Sequence, residues 1–250
     1  MTRYIIAILT LLAFSITADA QYTIAGKIEF ERKVNFYAQL KEMEEAGLNP
    51  FMEQMKSKIP KFSVSYFDMI FDTTQSIYKP GKEAEVNNVM KMFGGGPATA
   101  NVVYTNFKTQ KAISNKKVFD QSFHVEDSMR VLDWRIKDEI RTIANFKCHK
   151  AVGIICDSVY VVAFYTEDII ASGGPEMFGG LPGMILELAI PRLHTTWTAT
   201  KFELIAPVAT DFTISDKGKK VTSKEMQELL ESSLKNFGKM AQRNLWWSAL

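Results

Sequence analysis

The sequence predicts a β-rich α+β fold: one curved antiparallel meander sheet, half-barrel-like, covered by two or three helices. Three observations lead there. From Phe62 onward, short apolar or alternating runs recur between turn residues at spacings that suit hairpins. Two stretches, about 36–59 and about 223–243, switch to the three-to-four spacing of helices. Some strands, Val159-Tyr-Val-Val-Ala-Phe-Tyr165 above all, are apolar on both alternating faces, whereas a sheet with one wet face would alternate cleanly. Their second face needs a cover, and the two helical segments of the insertion are the available candidates.

Taken in order, the chain opens with the layout of a secretory signal. Arg3 supplies the positive start, Ile5 to Ile16 form an apolar run broken only by Thr10 and Ser15, and Ala18-Asp19-Ala20 offers small residues for cleavage before Gln21. The apolar run is about a dozen residues, short of the roughly 20 that span a bilayer. A signal peptide over 1–20 is therefore expected, followed by a single domain over 21–250 with no transmembrane segment. No cysteine follows the cleavage point, which argues against lipid anchoring. The expected location is outside the cytoplasm, in the periplasm or associated with the outer membrane.

The first strand runs from Tyr22 to Val34. Alternation puts Ile24, Ile28, Phe30 and Val34 on one face and Lys27, Glu29, Glu31 and Lys33 on the other, with Arg32 alone breaking the apolar side. A helical insertion over about 36–59 follows. Phe36, Leu40 and Met43 form its first stripe, and Asn49-Pro50 starts a second segment carrying Phe51, Met52, Met55 and Ile59. The methionine-rich pair reads either as core packing or as a flap against a ligand.

Strands are then expected at Phe62 to Phe71, Ser76 to Lys79, Asn101 to Phe107, Gln110 to Ser114 and Lys117 to Val125. Asp72, Pro80-Gly81, Gly94 to Pro97 and Asn115 serve as turns. Further strands follow at Leu132 to Ile136, Thr142 to Ile155, Val159 to Thr166, Met184 to Ile190 and His194 to Ile205. A C-terminal helix over about 223–243 is capped by Thr222 or Ser223 with Glu225 or Gln227 near its first turn, and Met226, Leu229, Leu230, Leu234 and Phe237 form its stripe. Trp246 and Trp247 either dock on the sheet or make an exposed contact for a membrane or partner.

Composition excludes some classes. Hydrophobic content of 46% with 12% aromatics supports a packed core, not disorder. The net charge is +2, and the lysine clusters at Lys116-Lys117 and Lys217 to Lys220 read as solvated loop ends, so no nucleic-acid partner is expected. Cys148 and Cys156 share one expected strand. Fully extended, their α-carbons would stand about 26 Å apart at roughly 3.3 Å per residue. A disulfide needs less than about 7 Å, so two free, buried thiols are expected.

The segment from Trp134 to Leu188 carries a longer pattern. It comprises Trp134-Arg-Ile-Lys, Cys148-His-Lys-Ala151, Phe164-Tyr-Thr-Glu-Asp-Ile169 and Gly174-Pro-Glu-Met-Phe-Gly-Gly-Leu-Pro-Gly-Met-Ile-Leu-Glu187. This resembles the GLPGLI family of exported proteins from Bacteroidota, whose motif reads here Gly180-Leu-Pro-Gly-Met-Ile185. Methionine stands for the motif's second leucine, a volume-conserving swap, and threonine-glutamate stands where the family often has threonine-proline. The resemblance implies no established activity. It implies association with outer-membrane transport systems, a partner class rather than a mechanism.

Physically, Leu181-Pro182-Gly183-Met184 suits a type II turn. The surrounding glycines pin Met177 and Phe178 at the tip of a compact loop. That loop either plugs the core with Phe178 and Leu181 or lets its backbone approach a ligand or partner strand. Met92-Phe-Gly-Gly-Gly-Pro97 is a weak second copy, and two such tips could form a binding rim. The candidate ligand- or partner-binding residues are thus Met177, Phe178, Leu181, Pro182, Gly183, Trp246 and Trp247.

No catalytic residue, metal or cofactor is assigned. His124, His149 and His194 are far apart, without HExxH or CxxC spacing, and no GxSxG elbow occurs. The expected function is a non-enzymatic envelope binding or accessory module that holds a hydrophobic ligand or contacts an outer-membrane transport protein. Two alternatives stay open: a hydrolase or metal-dependent enzyme using Glu167, Asp168 and His149, and a purely structural accessory subunit.

Overall fold

The alternating segments assemble into one open sheet of 12 strands in a computed structural model, which describes residues 22–45, 59–84, 97–130, 132–235 and 239–250. The expected signal peptide, most of the second insertion segment and the Met92 to Gly96 run lie outside the described residues. The strands are β1 (Gly26–Asn35), β2 (Phe62–Phe71), β3 (Gln75–Pro80), β4 (Val102–Asn106), β5 (Lys111–Val118) and β6 (Gln121–Ser128), then β7 (Arg135–Ile143), β8 (Phe146–Ile155), β9 (Val159–Thr166), β10 (Met184–Ile190), β11 (Thr195–Glu203) and β12 (Lys219–Val221). Three helices accompany them: α1 (Phe36–Glu45), α2 (Ser223–Leu234) and α3 (Lys239–Ser248).

The sheet order is β12-β6-β5-β4-β3-β2-β1-β11-β10-β9-β8-β7. Two meanders therefore flank β1. One walks outward from β2 to β6, and the other starts at the far edge with β7 and walks back to β11, which pairs antiparallel with β1 from Lys27↔Glu203 to Val34↔Thr195. Only the short β12 is parallel to its neighbour, β6. The sheet does not lie flat. Phe146 and Phe202 stand three strands apart in the order, about 14 Å at the usual ~4.8 Å spacing. Their rings nevertheless meet edge to face, centroids 5.2 Å apart, as a curved sheet requires.

The β1 alternation holds over Ile28, Phe30 and Val34, which are buried together with Arg32, while Lys27, Glu29, Glu31 and Lys33 between them are less so; Ile24, expected on the same face, precedes the strand and is exposed. They join one core with Phe67, Phe71, Tyr78, Val103, Val161, Leu186, Leu188 and Trp197. A second cluster forms where Met226, Leu230 and Leu234 of α2 pack on Phe123 and Val125 of β6. Thr222 caps α2, accepting from the Glu225 N–H at 3.2 Å while the Glu225 carboxylate accepts from the Thr222 N–H at 2.7 Å. Helix α1 is tied in by Gln39, whose side chain donates to the Leu193 carbonyl at 3.3 Å, and by Glu42, which accepts from His194 at 2.9 Å.

Several expectations are corrected. The single C-terminal helix over 223–243 is two helices, and Trp246 and Trp247 lie within the second. Asn115 is not a turn but the middle of β5; its side chain bonds His124 at 2.8 Å and the Ser215 carbonyl at 2.6 Å, leaving the turn to Phe119-Asp120. The expected strand Thr142 to Ile155 is broken at Ala144-Asn145, where φ values of 47° and 69° make a tight two-residue hairpin of the primed kind. Both cysteines are free, but only Cys148 is buried; Cys156 is exposed. The connection between β9 and β10 folds back on β10, where the Ile185 N–H donates to the Gly173 carbonyl at 2.8 Å; most of the insertion expected to cover these strands lies outside the described residues. Among the described residues, no helix is long and apolar enough to cross a membrane.

Candidate functional site

The connection from β9 to β10 crosses the inner face of the sheet and ends in the core. Met177, Phe178 and Leu181 are buried, and burying each such side chain stabilises by about 1.5–3 kcal/mol. The plugging alternative therefore holds, and Met177 and Phe178 are not an exposed tip. Pro182 is exposed. Gly183 has a φ of 137°, and a β-carbon there would stand 2.0 Å from the Thr166 carbonyl oxygen, so only glycine fits. The turn closes with Gly183 N–H donating to the Leu181 carbonyl at 2.7 Å, the span of a γ-turn around Pro182 rather than the type II turn expected. Trp134 pins the same loop by donating from Nε1 to the Gly179 carbonyl at 2.9 Å.

The residue that this loop delivers is Glu176. It is 2% exposed, yet it carries an ionisable carboxyl, and its φ of 56° is left-handed, unusual for a residue that is not glycine. Its Oε2 accepts from Asn101 Nδ2 at 2.9 Å. That bond joins the loop to the residue preceding β4, across the curve of the sheet. Three cations surround it. Arg32, 1% exposed, sits in the middle of β1 between Ser65 of β2 and Trp197 of β11. Lys116 of β5 is 4% exposed. Arg130 follows β6 and has its guanidinium end buried.

Each cation has part of its bonding capacity filled. Arg32 Nη1 donates to the carbonyls of Pro97 at 3.0 Å and Ala98 at 3.2 Å. Lys116 Nζ donates to the Ser248 carbonyl at 3.1 Å, and Arg130 Nη2 donates to the Ala249 carbonyl. The C-terminal end of α3, the negative end of a helix dipole, thus faces the cluster. Aromatic faces wall it: the Arg32 guanidinium lies 5.2 Å from the Phe67 ring and 5.7 Å from the Trp247 ring, and that of Arg130 lies 5.1 Å from Phe178. Tyr78 stacks on Phe67 at 4.8 Å and accepts from Trp197 Nε1 at 3.1 Å.

Capacity remains unspent. Arg32 Nε, Arg130 Nη1, Ser114 Oγ, Glu176 Oε1 and the indole nitrogens of Trp246 and Trp247 are buried without a hydrogen-bond partner. Burial pushes the Glu176 carboxyl up, against the opposing pull of Asn101 and the three cations. Burial likewise lowers Arg32 and Arg130, and it brings Lys116, helped by the nearby Arg130 charge, down to about 7. Among the described residues, one carboxyl group therefore faces two arginines and a lysine, an imbalance that a low-dielectric interior tolerates poorly.

The sequence-predicted residues divide around this cluster. Trp247 is buried against Arg32, and Trp246 is half-buried with Arg192 over its ring at 5.3 Å. Met177 and Phe178 neighbour Glu176 in the chain. The alternative enzyme residues lie elsewhere: Glu167 and Asp168 are exposed beyond the end of β9, and His149 is half-buried on β8 with its ring 6.1 Å from that of Tyr165. Among the described residues, no hydrogen bond joins these three, and no three His, Cys, Asp or Glu side chains group as metal ligands. Sequence reading missed Arg130 and Glu176 and took Lys116 for a solvated loop end. The available signal was Arg32, the one charge on the apolar face of β1.

No curated protein matches the sequence to a significant degree. Among solved structures, PNGF-II in a P21 crystal form is similar with a TM-score of 0.53 and 13% identity, over 83% of this chain and 33% of that one. PNGF-II in a C2 form gives a TM-score of 0.52 and 12% identity over 90% of this chain and 33% of that one. The chain thus spans about a third of that protein's length, and the likeness concerns the fold alone. A family model, described as a protein of unknown function (Porph_ging), matches residues 154–187, the stretch that builds β9, the glycine loop and the start of β10, and this fits a family associated with Bacteroidota.

Proposed function

We propose that this chain is a non-enzymatic cell-envelope binding or accessory module, exported by its N-terminal segment and active in the periplasm or at the outer membrane. It holds a hydrophobic ligand against the inner face of its sheet or contacts an outer-membrane transport assembly. The GLPGLI membership and a half-barrel architecture belong to the same proposal, as fold-level and family-level analogies.

The observation that carries it is the buried group of Arg32, Lys116, Arg130 and Glu176, walled by Phe67, Phe178, Trp197 and Trp247, with donor atoms left over. Apolar walls around a few convergent polar groups are the usual composition of a binding site. Catalysis receives no comparable support: the one buried carboxyl is bonded to Asn101 and hemmed by cations, with no nucleophile at hydrogen-bond distance among the described residues.

The test is native purification from the envelope of the host, followed by mass spectrometry of what is bound. A co-purifying outer-membrane protein or lipid is the expected result. A clean, empty monomer from mildly solubilised envelopes would overturn the reading.

A further inference from the structure

We propose that the buried cluster is an oxyanion-binding site, whose ligand presents a carboxylate or phosphate to Arg32 and Arg130 from within the sheet. The inference rests on the binding-module reading and adds the chemical class of the ligand.

The argument starts from charge. Among the described residues two arginines and a lysine share one carboxyl group, and Arg32 and Glu176 are almost wholly shielded from water. Leaving a buried charge uncompensated is among the costliest arrangements a fold contains. A fold that needed only a lock between loop and sheet would be served by one cation against Glu176. This one assembles three, from β1, from β5 and from the segment after β6, so that elements far apart in sequence each bring a positive charge within electrostatic reach of Glu176.

Hydrogen bonding gives the direction. The unspent groups at the cluster are mostly donors: Arg32 Nε, Arg130 Nη1 and the Trp247 indole N–H. Converging N–H donors with positive charge behind them are matched to an acceptor-rich anion, and guanidinium forks fit the planar carboxylate and the phosphate best. Glu176 Oε1 is the exception, an unspent acceptor.

Part of the cluster already holds an anion substitute. Lys116 Nζ and Arg130 Nη2 donate to the carbonyls of Ser248 and Ala249, at the negative end of α3. These are partial charges at a helix end, weaker partners than a full oxyanion. Strain accompanies the arrangement, since Ala98, whose carbonyl accepts from Arg32, and Glu176 both hold left-handed φ values of 54° and 56°.

The experiment titrates the folded, mature chain with inorganic phosphate, with decanoate and with decanol, following tryptophan emission and thermal midpoint. Chloride at matched ionic strength is the control. Arg130→Gln, which keeps an amide donor, and Arg32→Gln are compared, each verified as folded by near-ultraviolet circular dichroism. Saturable binding of phosphate and decanoate, weakened at least tenfold in either folded variant, identifies a free-ion site. Binding of decanoate but not phosphate, with decanol silent, identifies the headgroup of an amphiphile. Equal responses to decanol and decanoate, equal responses in wild type and variants, or no response at all would overturn the proposal. A neutral lipid or protein found in the native purification beside a silent titration would sink this inference alone.

Discussion

Replacing Lys116 by methionine isolates the energetics of the buried cluster. In the folded chain the Lys116 ammonium is held down to about 7 by burial and by the Arg130 charge, from an ordinary 10.5. Between those two values the unfolded chain carries a proton that the folded chain has shed. Raising the pH through that window therefore favours folding. One proton corresponds to about 1.4 kcal/mol per pH unit once the folded lysine is deprotonated. From about pH 7 to about pH 8.5 the gain is about 1.5 kcal/mol, because the folded lysine is still half protonated at the start. Lys116→Met removes it. The two thiols, both raised by desolvation, act in the opposite sense only near and above the ordinary thiol range, and they are common to both proteins. Urea denaturation at the two pH values, on wild type and variant, reads the difference directly. If the variant gains as much as the wild type, or the wild type gains nothing, Lys116 does not titrate as a buried group and the charge argument fails.

Three other perturbations follow from the same structure. Glu176→Gln keeps an acceptor for Asn101 but leaves the three cations without a counter-charge, so chemical denaturation near neutral pH is expected to show a loss of about 3–5 kcal/mol; a loss below about 1 kcal/mol would deny Glu176 that role. Gly183→Ala drives a β-carbon into the Thr166 carbonyl at a φ unsuited to alanine, and it should lower the thermal midpoint by ~6–12 °C, as ~3 kcal/mol does in a domain of this size. A melting curve unchanged from wild type would mean that the loop relaxes freely. Trp247→Ala empties an indole site in the main core and removes one aromatic wall from Arg32, at an expected ~3–5 kcal/mol by denaturation; a change within ~0.5 kcal/mol would place α3 outside the cooperative unit.

Much of the fold is legible from periodicity, because the sheet's inner face is buried along nearly its whole width. Ile28, Phe30 and Val34 declare that face in β1, and β2, β9 and β10 fall within the expected bounds. Turn chemistry is less legible. Asparagine at 115 reads as a turn former, but its amide is better used bonding His124 and Ser215, whereas the real hairpin after β8 is made by Cys156 and Asp157 at φ values of 48° and 62°. The site is the least legible part. Arg32 is visible as an anomaly in an alternating strand, but its partners come from β5, from beyond β6 and from the glycine loop. Lys116 stands beside Lys117 in the sequence, and only the pleat separates a buried ammonium from an exposed one. Glu176 is hidden by its own neighbours, since a motif rich in glycine, proline and large apolar residues reads as a turn or plug. The plug is real, and it carries a charge inward.

The position of β1 bears on how the chain reaches this state. Its first edge can pair with β2 as soon as that hairpin is available, but its other edge waits for β11, and Lys27 meets Glu203 only after most of the sequence has been produced. Contacts between such distant residues form slowly, because the intervening chain must be drawn in before the pairing rewards it. The cation cluster depends on that long-range seam, because Arg32 of β1 lies opposite Trp197 of β11. A chain truncated before Thr195 would keep both halves of the sequence pattern and still present an open strand edge to every other copy of itself.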